Sequence, residues 1–184
     1  MIGWLVRRRI RKFEEDFNYD MSYGREMFDA SPRAFFRFAR ISGLAAHRES
    51  VPREAWYAAK LAATLSEDCG PCTQLVVTMA ERDGVNPVVL RGVIAGDEAT
   101  MSADAALGFR FARTVLERDL VEGERLRHEV VGRWGQKGLV SLALTIAASR
   151  VFPAVKYALG HGQACSRLRV GGAETEVTRA AGAA

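Results

Sequence analysis

The segment Arg53 to Leu65, REAWYAAKLAATL, is built almost entirely of alanine and straight-chain residues, which lose little rotamer freedom in a helix. It runs directly into SEDCGPCTQL, where Cys69 and Cys72 stand three positions apart in a chain that has 3 cysteines. Beyond them Leu75, Val76, Met79 and Ala80 recur at helical spacing, which gives a helix beginning near Cys72 one apolar face. The cysteine pair is therefore set between two helices. No alternation of β-branched and polar residues is long enough to predict a strand, so the chain reads as all-α.

This setting decides among the chemistries that a CxxC can serve. The letters CGPC are those of thioredoxin, but that reading requires a βαβ unit, and no strand leads into the motif here. A zinc site would need two further ligands. The remaining candidates, His47, His128, His161 and Cys165, show no second CxxC and no HxxxH spacing, so no metal is expected. Cysteines can also be buried simply as small apolar residues. Trp4, Trp56 and Trp134 read as packing residues, since no glycine-rich phosphate loop accompanies them, and no cofactor is expected.

With 184 residues, 48% of them hydrophobic, the chain can bury one substantial core, and nothing in its middle reads as a linker, so residues 1–184 are expected to form a single domain. Few cysteines and no signal-like start point to a reducing, cytoplasmic setting. No uncharged run is longer than Gly138 to Ser149, which falls well short of the roughly 20 residues of a membrane span and reads as a core helix.

The net charge of +4 gathers near the start, where Arg7, Arg8, Arg9, Arg11 and Lys12 follow Trp4 and Leu5 in an amphipathic helix over about residues 1–17. Such a helix can serve as a handle for membrane or nucleic acid. The acidic Glu14, Glu15 and Asp16 offset its field, so the expected arrangement has Ile2, Leu5, Ile10 and Phe13 docked on the body or a neighbouring subunit and the arginines solvated. The small, polar stretch from about residue 170 to 184 reads as a mobile tail.

Local signals mark further helices. Ser31 and Pro32 open one carrying Ala34, Phe35, Phe38, Ile41 and Leu44 on a face. Ser50 is placed to cap the helix that reaches Ser66. Gly84 ends the helix after the cysteines, and Asn86-Pro87 opens a short one to Gly96. Ser102 precedes a helix with Asp104 in its first turn and Leu107, Phe111, Val115 and Leu116 along it. Others are expected from Glu122 to Val131 and from Leu139 onward, the last interrupted or kinked near Pro153.

The order helix, CxxC, helix, NPVVLRGVIAG, SADAALGFRFARTVL and GQKGLVSLALTIAASRVFPAVKYALG resembles the carboxymuconolactone decarboxylase and alkylhydroperoxidase D-like family over roughly Arg53 to Leu159. The resemblance implies an alkylhydroperoxidase D-like helical bundle that assembles into trimers or hexamers. It also implies a thiol-dependent peroxidase or disulfide oxidoreductase, acting on a peroxide or disulfide and reduced by a partner dithiol. Peroxidase members carry Glu-x11-Cys-x2-Cys-x3-His, with the glutamate and histidine forming a proton relay. Here Cys69 and Cys72 match the cysteines, Tyr57 fills the glutamate slot and Val76 the histidine slot. The relay is lost, so activity is expected to be weak unless Glu54, Tyr57, Glu67 or Asp68 substitutes.

A cysteine at a helix N-terminus gains thiolate character from unpaired N–H groups, while Glu67 and Asp68 act the other way. The two-residue spacer lets one sulfur resolve an oxidised form of the other. The family resemblance makes Cys72 the attacking sulfur, and the thioredoxin analogy makes it Cys69. The alternative function is a non-catalytic helical oligomer that keeps the fold without the chemistry.

Overall fold

The computed structural model describes residues 2–164 and 167–177. The chain is mostly helical, as its patterning implies. In order, the helices are α1 (Ile2–Phe17), α2 (Ser22–Ala30), α3 (Pro32–Ala39), α4 (Ile41–Ala46), α5 (Arg53–Leu65), α6 (Gly70–Arg82), α7 (Pro87–Ala95), α8 (Ala103–Glu117) and α9 (Leu120–Ala158), with a 3-10 turn at Glu98–Thr100.

The central element is α5, in which every residue from Ala55 to Thr64 is buried. A helix apolar on all faces can be stable only inside a core, and its alanines let its neighbours approach closely. The approach is tightest at Gly108 of α8, which packs on the backbone of Ala55 so closely that a β-carbon would collide with the Ala55 carbonyl. Gly108→Val is therefore expected to destabilise the fold by about 3 kcal/mol, the upper end of overpacking. Thermal melts should then show a fall of roughly 6–12 °C, and an unchanged melting temperature would contradict this packing.

Several helix boundaries lie where the local signals place them. The Ser31 side chain accepts from the Ala34 N–H, Asn86 from Val88, and Ser102 from Ala105. Gly96 closes α7 with φ of 70°. Other expectations are corrected. Ser50 does not cap α5, whose N-cap is Pro52; Ser50 lies in the loop before it with φ of 59°. The segment after Pro32 divides into α3 and α4 at Arg40. The two helices expected after Leu120 are present within α9, divided at Gly135 (φ 70°), and the helix is not interrupted at Pro153. Glycine reaches that left-handed region without strain.

The tail also departs from expectation. Strands β1 (Arg167–Val170) and β2 (Ala173–Glu176) pair antiparallel with Val170 opposite Ala173. Leu168 and Val170 alternate inward and join the main core. The Gln74 side chain bonds to both the N–H and the carbonyl of Arg169 and holds the hairpin on α6. Residues 178–184 of the expected tail lie outside the described residues.

A second, smaller apolar cluster of Val6, Ile10 and Phe28 joins α1 to α2, with Met21 and Phe35 packed on it. The face of α1 that packs is thus Val6 and Ile10, whereas Ile2, Trp4 and Leu5 are exposed. Trp56 and Trp134 are buried packing residues, as expected. The α1–α4 layer and the main core enclose the space described next.

Candidate functional site

Cys69 is the N-cap of α6, and its carbonyl accepts from the Thr73 N–H one turn on. Its sulfur is bonded to that of Cys72 across a Cα–Cα separation of 5.3 Å, within the range a disulfide spans. The two sulfurs meet different surroundings. Cys69 is 0% exposed and packed in the body, whereas Cys72, 5% exposed, forms part of the wall of a cavity of about 610 Å³.

The cavity lies between the α1–α4 layer and the faces of α5, α6 and α9. Phe13, Phe35, Phe38 and Phe152 make much of its wall, and Leu75, Val76 and Met79 continue the α6 face beyond Cys72. Val76, the residue in the histidine slot, is therefore a cavity neighbour of Cys72, one helical turn away on the same face.

Tyr19, in the link between α1 and α2, brings its hydroxyl to 3.9 Å from Cys72 Sγ. Burial is the main cause that pushes its phenol far above the ordinary value, with Tyr23 alongside adding to it. Tyr19 therefore stays a protonated donor. Lys156 Nζ lies over the rings of Tyr19 and Tyr23, at 4.7 and 5.3 Å from their centroids. It is buried, and that burial lowers its pKa while Asp20 opposes the shift.

The chain after α9 folds back on this region. The Gln163 carbonyl accepts from the Gly70 N–H at 2.9 Å, an otherwise unpaired donor at the start of α6. His161 Nε2 is 2.7 Å from Glu26 Oε2, and its Nδ1 is 3.1 Å from Ser22 Oγ, so this histidine ties α2 to the end of α9. Tyr157 donates to the Asp68 carbonyl at 2.8 Å and steadies the turn before Cys69, where Asp68 has φ of 49°.

The candidate relay residues are not gathered around the sulfurs. Tyr57 donates to Asp83 Oδ2 at 2.6 Å, and Asp83 is the C-cap of α6, about 21 Å along the helix from Cys69. Burial raises the Tyr57 phenol, and the Asp83 carboxylate adds to the shift. Glu54 accepts from Ser102 Oγ at 2.5 Å near the start of α8. Glu67 pairs with Arg150 at 2.5 Å and does not line the cavity. Asp68 adjoins Cys69 in sequence, but it too lies outside the cavity wall.

The α5 side chains that do reach the cavity are Lys60, one turn on from Tyr57, and Thr64. Lys60 is 8% exposed, donates to the Ala45 carbonyl at 2.8 Å, and stands 4.3 Å from the Trp56 ring centroid. Desolvation lowers its pKa to about 8, against a weaker opposing pull from Asp83. The unfolded chain thus holds more protons than the native one between about pH 8 and 10.4, and native stability rises with pH across that window. Below about pH 8 the burial cost is fully present. Urea unfolding at pH 7 and pH 10 should show the natural protein gaining on Lys60→Met by on the order of 2 kcal/mol. A pH-independent difference would show that Lys60 keeps an ordinary pKa.

Tyr19, Tyr23, Lys60 and Lys156 carry no sequence signal that ties them to the cysteines, since only tertiary packing brings them close. Among the described residues no group of His, Cys, Asp and Glu converges to hold a metal ion. His47 offers its carbonyl to Trp56 Nε1, His128 pairs with Glu124 on an exposed face of α9, and Cys165 lies outside the described residues. Comparison of the chain with protein-family models, with curated proteins and with solved structures finds no match.

Proposed function

We propose that the protein is a CxxC thiol oxidoreductase of the alkylhydroperoxidase D-like kind suggested by its sequence, acting from a reducing cytoplasm. The observation that carries the proposal is the bonded Cys69–Cys72 pair at the start of α6, with Cys72 on the wall of the cavity and Cys69 behind it. This arrangement supports Cys72 as the attacking sulfur. Its thiolate attacks the outer oxygen of a hydroperoxide ROOH, and the O–O bond breaks to give a sulfenic acid on Cys72 and, with one proton, ROH. The Cys69 thiol then displaces water from the sulfenic sulfur and closes the disulfide. A partner dithiol reduces the pair through a mixed disulfide on Cys72 and leaves as a disulfide itself. The net reaction is ROOH plus dithiol to ROH, water and disulfide. The protonated Tyr19 hydroxyl serves as a hydrogen-bond donor beside the reacting sulfur.

The test is a titration of free thiols on the fully reduced protein, before and after a small excess of cumene hydroperoxide, with mass spectrometry of the peptide that holds both cysteines. The expected result is the loss of two thiols and two hydrogens, reversed by a dithiol. Cysteines that stay reduced in folded protein overturn the proposal.

A second reading, a helical oligomer without the chemistry, is favoured by Val76 in the cavity and by Tyr57 being drawn to Asp83. Both readings include self-association into trimers or hexamers. Leu120 and Val121, 84% and 86% exposed, offer apolar surface for it. Sedimentation at micromolar concentration should show the assembly, and a monomer would remove that part of the proposal.

A further inference from the structure

The cavity has a chemical character that the cysteine chemistry does not account for. At about 610 Å³ it falls within the roughly 300–1,000 Å³ of small-molecule pockets. Its wall is predominantly aromatic and aliphatic, and among the described residues the only charged side chains lining it are the two cations Arg9 and Lys60. Among the described residues no carboxylate lies within ion-pair distance of Lys60. Its ammonium carries three N–H donors, and among the described residues the Ala45 carbonyl alone accepts from it. A buried cation without a counter-ion is costly. A ligand that carries an anionic oxygen group would relieve that cost.

We propose that this cavity binds a free long-chain carboxylate, with its head at Lys60 and its hydrocarbon chain among Phe13, Phe35, Phe38 and Phe152. The charge of the wall selects an anion over a cation, and the aromatic lining selects a hydrocarbon chain over a polar metabolite. Of the lining residues Arg9, Ala39, Ser42 and Ala46 are exposed, which puts the mouth at α1 and the α3–α4 segment. Arg9 adds a second positive charge on the way in. The proposal does not depend on turnover by the cysteines.

The experiment is isothermal titration calorimetry of the full chain with dodecanoate below its micelle concentration, with dodecanol in parallel and with hexanoate, octanoate and decanoate as a length series. One dodecanoate should bind per chain, and each added methylene should tighten binding about fourfold until the cavity is filled. Lys60→Met should weaken dodecanoate tenfold or more and leave dodecanol unchanged. Ser42→Trp, at an exposed position on the mouth and thus without cost to the core, should abolish binding of both. The absence of saturable binding, or equal losses for acid and alcohol in Lys60→Met, overturns the proposal. So does binding that appears only with vesicles of anionic phospholipid and is indifferent to Ser42→Trp. Binding that survives in Cys72→Ser keeps this inference separate from the redox proposal, because no cysteine chemistry enters the readout.

Discussion

Cys72→Ser is expected to abolish oxidation of the protein by hydroperoxide, whereas Cys69→Ser is expected to permit a single oxidation that then stalls. The asymmetry follows from access. Cys72 lies on the cavity wall, while Cys69 is fully buried behind it as the N-cap of α6. With Cys72 removed, the Cys69 thiol has no route to the oxidant. With Cys69 removed, Cys72 still attacks, but nothing resolves the sulfenic acid, which persists or oxidises further. Stopped-flow oxidation of both variants, followed by mass spectrometry of the peptide that holds positions 69 and 72, separates the cases: one added oxygen in Cys69→Ser and an unmodified peptide in Cys72→Ser. The opposite pattern would make Cys69 the attacking sulfur, as in the thioredoxin order.

Val76→His is expected to raise the rate of Cys72 oxidation by roughly 100-fold, the lower end of what a positioned general acid or base supplies. Val76 follows Cys72 by one helical turn and lines the same cavity, so an imidazole there has both room and proximity. The rate should also acquire a pH dependence centred near the histidine range of about 6.5. Tyr57→Glu should add nothing, because position 57 is directed to Asp83 at the far end of α6. It would instead set a second carboxylate beside Asp83 and lower stability. Stopped-flow rates from pH 5 to 9 for the natural protein and both variants check this. A natural protein already as fast as Val76→His would mean that a residue in place, such as Tyr19 or Lys60, supplies the proton transfer.

Much of the helical framework was legible in the sequence because its signals are local. Ser31-Pro32, Asn86-Pro87, Gly96 and Ser102 each set a helix end through a side-chain cap, a fixed φ or a left-handed residue, and each acts within one turn of itself. The cysteine pair was legible for the same reason, since a helix start within a four-residue loop brings two sulfurs to bonding distance wherever that helix sits. The hairpin left a weaker trace: Leu168 and Val170 alternate, and the paired Gly171-Gly172, with φ of 60° and 79°, make the turn. Strands of four residues are too short for periodicity to outweigh a polar, alanine-rich setting.

The site itself was decided by tertiary structure. Tyr19 is separated from Cys72 by 53 positions, and Ser22 from His161 by 139, so no spacing rule links them. Lys60 rather than Tyr57 faces the cavity because the Tyr57 hydroxyl has a better partner in Asp83. By itself the sequence determined that helices form, where several of them end, and that two cysteines meet at the start of one. Which of those sulfurs is reachable, and which tyrosine and lysines stand with it around the cavity, depended on how α1–α4 close over the main core, because burial and long-range contact are properties of the packed chain.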